Sequence, residues 1–103
     1  EYSILNELVK YMNKIECLVI EFHNIKKNFK KIKKFIKEFK LNLIHIHINN
    51  YGRVTISGYP SVIEFTFVKK DYCKKNIKDI KLPIKNLDFP NNPEVDDKKI
   101  LFY

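Results

Sequence analysis

Alanine and tryptophan are absent from this chain, and its 103 residues hold one arginine, two glycines and two cysteines. Each scarcity excludes something. Gly52 and Gly58 fall in one loop and make no glycine-rich turn between a strand and a helix, the device that cradles a nucleotide. Cys17, in an apolar run, and Cys73, among lysines, form neither a disulfide framework nor a paired zinc spacing. They read as reduced thiols of a cytoplasmic protein. No apolar run approaches the roughly 18 residues that a membrane-spanning helix needs. No leader peptide is visible; the chain opens at Glu1 without methionine and runs almost at once into a helix, as expected of a piece cut from something longer.

What abounds is lysine (19), isoleucine (15) and asparagine (11). AT-rich coding produces that skew, so the net charge of +8 is partly a genomic habit. A basic surface still favours anionic partners, but only as a weak indication. The length bounds the chain to one domain or part of one.

Ser3 is expected to cap a first helix in which Ile4, Leu5, Leu8, Val9 and Met12 share a face. Residues 15–22 follow as a strand. The unbroken run Cys17-Leu-Val-Ile20 implies cover on both faces. Asn24 then caps a helix to about residue 40, with Ile25, Phe29, Ile32, Phe35, Ile36 and Phe39 on its buried side and Lys26, Lys27, Lys30, Lys31, Lys33, Lys34 and Lys37 around the rest. Residues 43–49 form a second strand, with Ile44, Ile46 and Ile48 alternating against His45 and His47. Residues 51–60 are a loop. A third strand over 62–69 puts Val62, Glu64, Thr66 and Val68 on one face and Ile63, Phe65 and Phe67 on the other. From residue 70 onward Pro83, Pro90 and Pro93 forbid long helices, so 70–103 reads as an irregular tail.

Helix, strand, helix, strand, strand is an α/β order. Strand–helix–strand implies a right-handed parallel crossover. The last connection is short, so the third strand returns antiparallel. Two helices cannot easily cover both faces of such a sheet, and residues 1–103 therefore read as a single, partial domain.

Glu1-Tyr-Ser-Ile-Leu5, Leu18-Val-Ile-Glu-Phe-His23, His45-Ile-His-Ile-Asn-Asn50-Tyr51 and Pro60-Ser-Val-Ile-Glu-Phe-Thr-Phe67, in that order, resemble the C-terminal half of FkbM-type S-adenosylmethionine-dependent methyltransferases. The likeness covers residues 1–69, and 82–93 is similar to the tails of some members. It implies a Rossmann-like class I sheet of which these are the last three strands, the final one inserted antiparallel between the other two, giving the spatial order first, third, second. It also implies a bacterial enzyme that methylates a hydroxyl of a sugar or secondary metabolite, with S-adenosylmethionine as cofactor and a small-molecule or glycan acceptor. The cofactor-binding glycine-rich turn and ribose-binding acid of such enzymes belong to a preceding half that has no counterpart in residues 1–103, so the chain alone is expected to be inactive.

The strands converge on a candidate site. Glu21 and His23 end the first strand; His47, Asn49 and Asn50 end the second; Glu64 starts the returning third from the same edge. Open α/β sheets bind ligands outside the C-terminal ends of their strands. Glu21, His23 and His47 are candidate catalytic groups, one of them taking the proton from an attacking hydroxyl. Asn49, Asn50 and Glu64 are candidate substrate contacts. The bland alternative is a set of strand-end polar groups that satisfy one another. Histidines on separate strands make no compact metal motif, and none is expected. His45, nearer mid-strand, reads as a packed, hydrogen-bonded histidine.

The lysine-rich helix invites a nucleic-acid or membrane-surface reading. Its aromatics fall on the buried side, however, and the lysines read as an ordinary solvated face, which disfavours nucleic acid and a membrane surface alike. Asp88-Phe-Pro-Asn-Asn-Pro93 is a turn signal, expected in a tail packed on the sheet rather than in a flap. The competing function is a non-catalytic basic α/β module that associates with itself, or with an anionic partner, through its uncovered sheet face.

Overall fold

The computed structural model describes residues 1–73 and 77–99. Three strands, β1 (Cys17–His23), β2 (Asn42–Ile48) and β3 (Val62–Val68), make one sheet in the order β1-β3-β2. β3 runs antiparallel to both neighbours. β1 and β2 therefore point the same way, and their last residues reach the same edge. Two α-helices, α1 (Leu5–Lys10) and α2 (Ile25–Glu38), complete a small α/β domain.

Strand alternation sorts the side chains between two faces. One face holds Leu18, Ile20 and Phe22 of β1, Ile63, Phe65 and Phe67 of β3, and Ile46 of β2, matched across the ladder as Leu18–Phe67, Ile20–Phe65, Ile46–Phe65 and Phe22–Ile63. α2 lies over this face through Ile25, Ile32 and Phe35, and α1 adds Leu5. Among the described residues Phe22 (0% exposed) and Phe67 (1%) are the large side chains wholly lost from water, each stabilising by about 1.5–3 kcal/mol. Phe67 meets Phe35 and Phe39 edge-on, at 5.8 and 5.2 Å between ring centres.

A β-bulge decides which face β2 shows. Leu43 pairs with Phe67, yet His45 pairs with the next residue back, Thr66. Ile44 is therefore the extra, unpaired residue. Strict alternation would put Leu43 on the same side as His45. The bulge lets Leu43 turn to the core while His45 and His47 take the opposite face. Ile44, expected to share the apolar face with Ile46, is not part of the core cluster.

Several boundaries differ from expectation. The first helix is shorter, with 3-10 turns at Tyr2–Ile4 and Met12–Lys14 around α1, and Ser3 caps nothing. The reason is tertiary: Glu1 and Tyr2 are drawn to the end of β1, where the His23 amide donates to Glu1 Oε1 at 2.9 Å and the Tyr2 hydroxyl donates to the His23 carbonyl. β1 starts at Cys17, because Ile15 closes the preceding 3-10 turn. Asn24 stands at the N-cap of α2 in a left-handed conformation (φ 52°) without a side-chain cap. Phe29 (46% exposed) and Ile36 (36%) do not join the buried side of α2. Cys17 and Val19 lie exposed on the face of β1 turned away from the helices, so the double cover that its apolar run implies is not supplied by the described residues.

Among its described residues the tail is irregular apart from a 3-10 turn at Ile77–Asp79. It sends Leu82 into the core cluster. Its Asp88 and Asp97 side chains cross to the second sheet face and meet His45 and His47, so that face is partly covered rather than bare. No helix among the described residues is long and apolar enough to cross a membrane.

Candidate functional site

The face opposite the helices carries a polar row perpendicular to the strands. Glu64 of β3 lies directly between Glu21 of β1 and His47 of β2. Directly opposed residues on one sheet face stand within about 4.5–5.5 Å at Cβ, so the three side chains share a single site. Toward the strand ends, Asn49 reaches across: its Nδ2 donates to Glu21 Oε2 at 3.1 Å. The other oxygen of Glu21, Oε1, lies 3.2 Å from His23 Nε2. His23 Nδ1 in turn lies 3.3 Å from Glu1 Oε1. A continuous chain Glu1–His23–Glu21–Asn49 thus runs along the sheet edge. Asn49 Oδ1 accepts the Tyr51 amide at 3.1 Å and fixes the turn that leaves β2.

The charges along this chain are tuned by its contacts. The hydrogen bond from the His23 amide holds the Glu1 carboxyl below its ordinary value, against the opposing effect of burial and with help from the His23 ring. Burial raises the Tyr2 hydroxyl. Two acidic groups directly opposite, Glu21 and Glu64, repel, and the site tolerates them because Glu21 is held from both sides.

Glu64 is the contrast. Among the described residues its carboxylate has no hydrogen-bond or ion-pair partner, and it is only partly buried. It is the carboxylate of the row with both oxygens unengaged among the described residues.

Of the expected site residues, Glu21, His23, His47, Asn49 and Glu64 are brought together. Asn50 is not. It is buried, its Nδ2 donates to the carbonyls of Asn92 (3.1 Å) and Val95 (3.0 Å), and its Oδ1 accepts the Asn92 amide at 2.6 Å. Its side-chain amide anchors the tail. His45 is packed and hydrogen-bonded, its Nε2 2.9 Å from Asp88 Oδ1. The segment from Asp88 to Pro93 is tied down at two points, the Asp88 side chain on His45 and the Asn92 backbone on Asn50, while Phe89 between them lies exposed (72%), so it is pinned to the sheet rather than packed on it as expected. Asp88, Asp97, Glu1 and Tyr2 were not legible as site neighbours. Their partners lie 21 to 50 residues away in sequence, and no local spacing announces them. Among the described residues no three His, Cys, Asp or Glu side chains cluster as a metal site would require.

Among the described residues no glycine-rich turn joins a strand to a helix. The turn from β1 into α2 is the single residue Asn24, with no glycine and no loop to wrap a ligand. Gly52 is needed for close packing instead: a Cβ there would stand 2.5 Å from Ser61 Oγ and 3.1 Å from the Asn49 carbonyl oxygen. These residues do not fit S-adenosylmethionine by themselves.

No protein-family model, curated protein or solved structure matches this chain.

Proposed function

We propose that this chain is the C-terminal part of a Rossmann-like, S-adenosylmethionine-dependent O-methyltransferase domain, contributing the acceptor side of its site. The observation that carries the reading is β3, which runs antiparallel between two like-directed strands and brings Glu21, Glu64 and His47 into one row at their shared end. Ligands of open α/β sheets bind at that end. The resemblance to FkbM-type enzymes points the same way.

In this reading Glu64 takes the proton of the acceptor hydroxyl, because it is the carboxylate with an oxygen free to receive it. Glu21, held by Asn49 and His23, supplies fixed negative charge beside it. His47 stays anchored by Asp97 and limits how far the acceptor enters. Asn49 orients the acceptor once a ligand competes for its amide. The cofactor is held by a preceding half of the same domain, and the chain alone is inactive.

The test is to express the whole reading frame, supply isotopically labelled cofactor with bacterial sugar extracts, and follow label into acceptors by mass spectrometry. A frame that continues upstream into a strand, a glycine-rich turn and an acidic residue supports the reading. A natural start codon close upstream of Glu1, with no label transferred, rejects it.

One observation favours a second reading. Val19 (57% exposed) and Cys17 leave an apolar strip along β1, at the sheet's edge. A non-catalytic module that self-associates would close that strip. Concentration-dependent dimerisation lost in Val19→Asp, in a frame without methyl transfer, would select it.

A further inference from the structure

The loop between β2 and β3 is ordered by its own polar side chains, and that leaves its apolar ones outside. Val54 and Pro60 form an isolated bridge. The Thr55 amide donates to the Tyr59 carbonyl at 2.8 Å, and the Gly58 amide to the Thr55 carbonyl at 2.8 Å. Thr55 Oγ1 accepts the Tyr59 amide at 3.1 Å and stands 3.2 Å from Ser57 Oγ. Gly58 supplies the left-handed corner (φ 81°) that closes the turn. Thr55 and Ser57 are thus turned onto the loop itself. Ile56, between them, is fully exposed, and Val54 and Tyr59 are exposed beside it. A turn that holds isoleucine in water and hydroxyls inward reverses the usual chemistry of such loops.

The base of this hairpin leans on α2. Phe29 and Tyr59 meet edge-to-face at 5.9 Å. Between α2 and the hairpin runs an open apolar groove of about 580 Å³, lined by Phe29, Ile36, Tyr59 and Ile63 together with Lys33 and Lys37. A neighbouring groove brings Lys26 and Lys27 beside Thr55 and Ser61. At 3.6 residues per turn, Lys26, Lys30, Lys33 and Lys37 fall within about 60° of arc next to Phe29. α1 occupies the other flank, against Lys31, Lys34 and Phe35, so this flank is not covered by it.

On this flank the lysine charge of α2 meets no carboxylate among the described residues. No acidic residue stands in its first turn, where Lys26 and Lys27 oppose the helix dipole. Lys26–Lys30 and Lys33–Lys37 are like-charge pairs one turn apart, which destabilise a helix. Glu38 is its single acidic side chain and lies on the far flank with Lys34, 3.9 Å away. A negative surface against this flank would relieve both effects, and the apolar tip beside it needs a medium that accepts isoleucine. An anionic bilayer offers both.

We propose that the flank formed by α2 and the 54–60 hairpin docks on anionic lipid bilayers, with Ile56 entering the acyl boundary and Lys26, Lys30, Lys33 and Lys37 meeting the headgroups. The surface is independent of the methyl-transfer reading.

The test is co-sedimentation of the full chain with vesicles of phosphatidylglycerol and phosphatidylcholine mixed equally, against pure phosphatidylcholine. Binding to the mixed vesicles alone, falling steeply with added salt, is expected. Ile56→Asp should lower the bound fraction at least tenfold with an unchanged circular dichroism spectrum, whereas Ile56→Leu should retain it. Lys33→Glu combined with Lys37→Glu should abolish it. Equal binding to neutral vesicles, no binding to either, or undiminished binding of Ile56→Asp overturns the proposal. So does a dimer in the absence of lipid that Ile56→Asp dissolves, since the hairpin would then serve a second copy of the chain.

Discussion

The His47 imidazole holds the Asp97 carboxylate at 2.9 Å, across fifty residues of sequence, with both side chains largely buried. His45 and Asp88 repeat the contact one step along the same strand, and the two rings lie 6.3 Å apart. With Asn50, these pairs fasten the tail to the sheet face that the helices leave open.

Removing either carboxylate should loosen the tail. Asp97→Ala is expected to cost about 1–2 kcal/mol, the range for a hydrogen bond involving an ionised partner less solvent compensation. Urea unfolding measures it, and hydrogen exchange should show faster amides over residues 84–97 with β1 and β3 unchanged. An unaltered exchange pattern would mean that the pairs hold nothing.

The clasp should also respond to acid. Burial works to raise the Asp88 carboxyl, but the hydrogen bond from His45, the Ile84 amide and the charge of the His45 and His47 rings together outweigh it, and the group ends below its ordinary value. A carboxylate lowered on folding stabilises fully above its unfolded pKa, and that stability is lost as pH falls through the folded value. The tail should therefore detach below about pH 4, near and under the ordinary Asp value. Tail-specific NMR shifts should follow that titration, and Asp88→Asn should remove it.

The aromatic core sets global stability. Phe22 touches Phe35 and Phe65 edge-on and Tyr2 at 5.7 Å. Phe22→Ala should cost about 3–5 kcal/mol, a large share of what a domain of this size possesses. Thermal denaturation should show the loss or an absent transition.

The two glutamates of the polar row should respond unequally, if the methyl-transfer reading holds. In the protein from the whole reading frame, Glu64→Gln should reduce kcat by about 10²–10⁴, the span of a general base, with little change in KM. Glu21→Gln should act less on kcat, since Glu21 is already engaged. A reversed order would move the base to Glu21.

Ile44 offers a test of the bulge. Because Leu43 already pairs with Phe67 and His45 with Thr66, deleting Ile44 removes the extra residue without shifting the ladder. The deletion should cost less than about 2 kcal/mol, while deleting Ile46 lets the bulge take up the shift only by placing His45 opposite Phe65 on the core face, and should cost clearly more. Cooperative unfolding in urea separates the two.

Periodicity and apolar runs located all three strands and α2 to within two residues, because burial on one face leaves a repeating trace in sequence. The short connection before β3 implied its antiparallel return, and the strand ends of Glu21, His23, His47, Asn49 and Glu64 were legible as one polar edge for the same reason. The faces of Leu43 and Ile44 were not, since a bulge breaks the alternation on which such reading depends. Nor was the engagement of Glu21 and Asn50 or the freedom of Glu64. Those follow from Asn49, His23 and the tail meeting across gaps of up to 45 residues. Hydrogen bonds between distant segments impose no period on the chain, so only the folded arrangement determines which polar groups satisfy one another and which remain open.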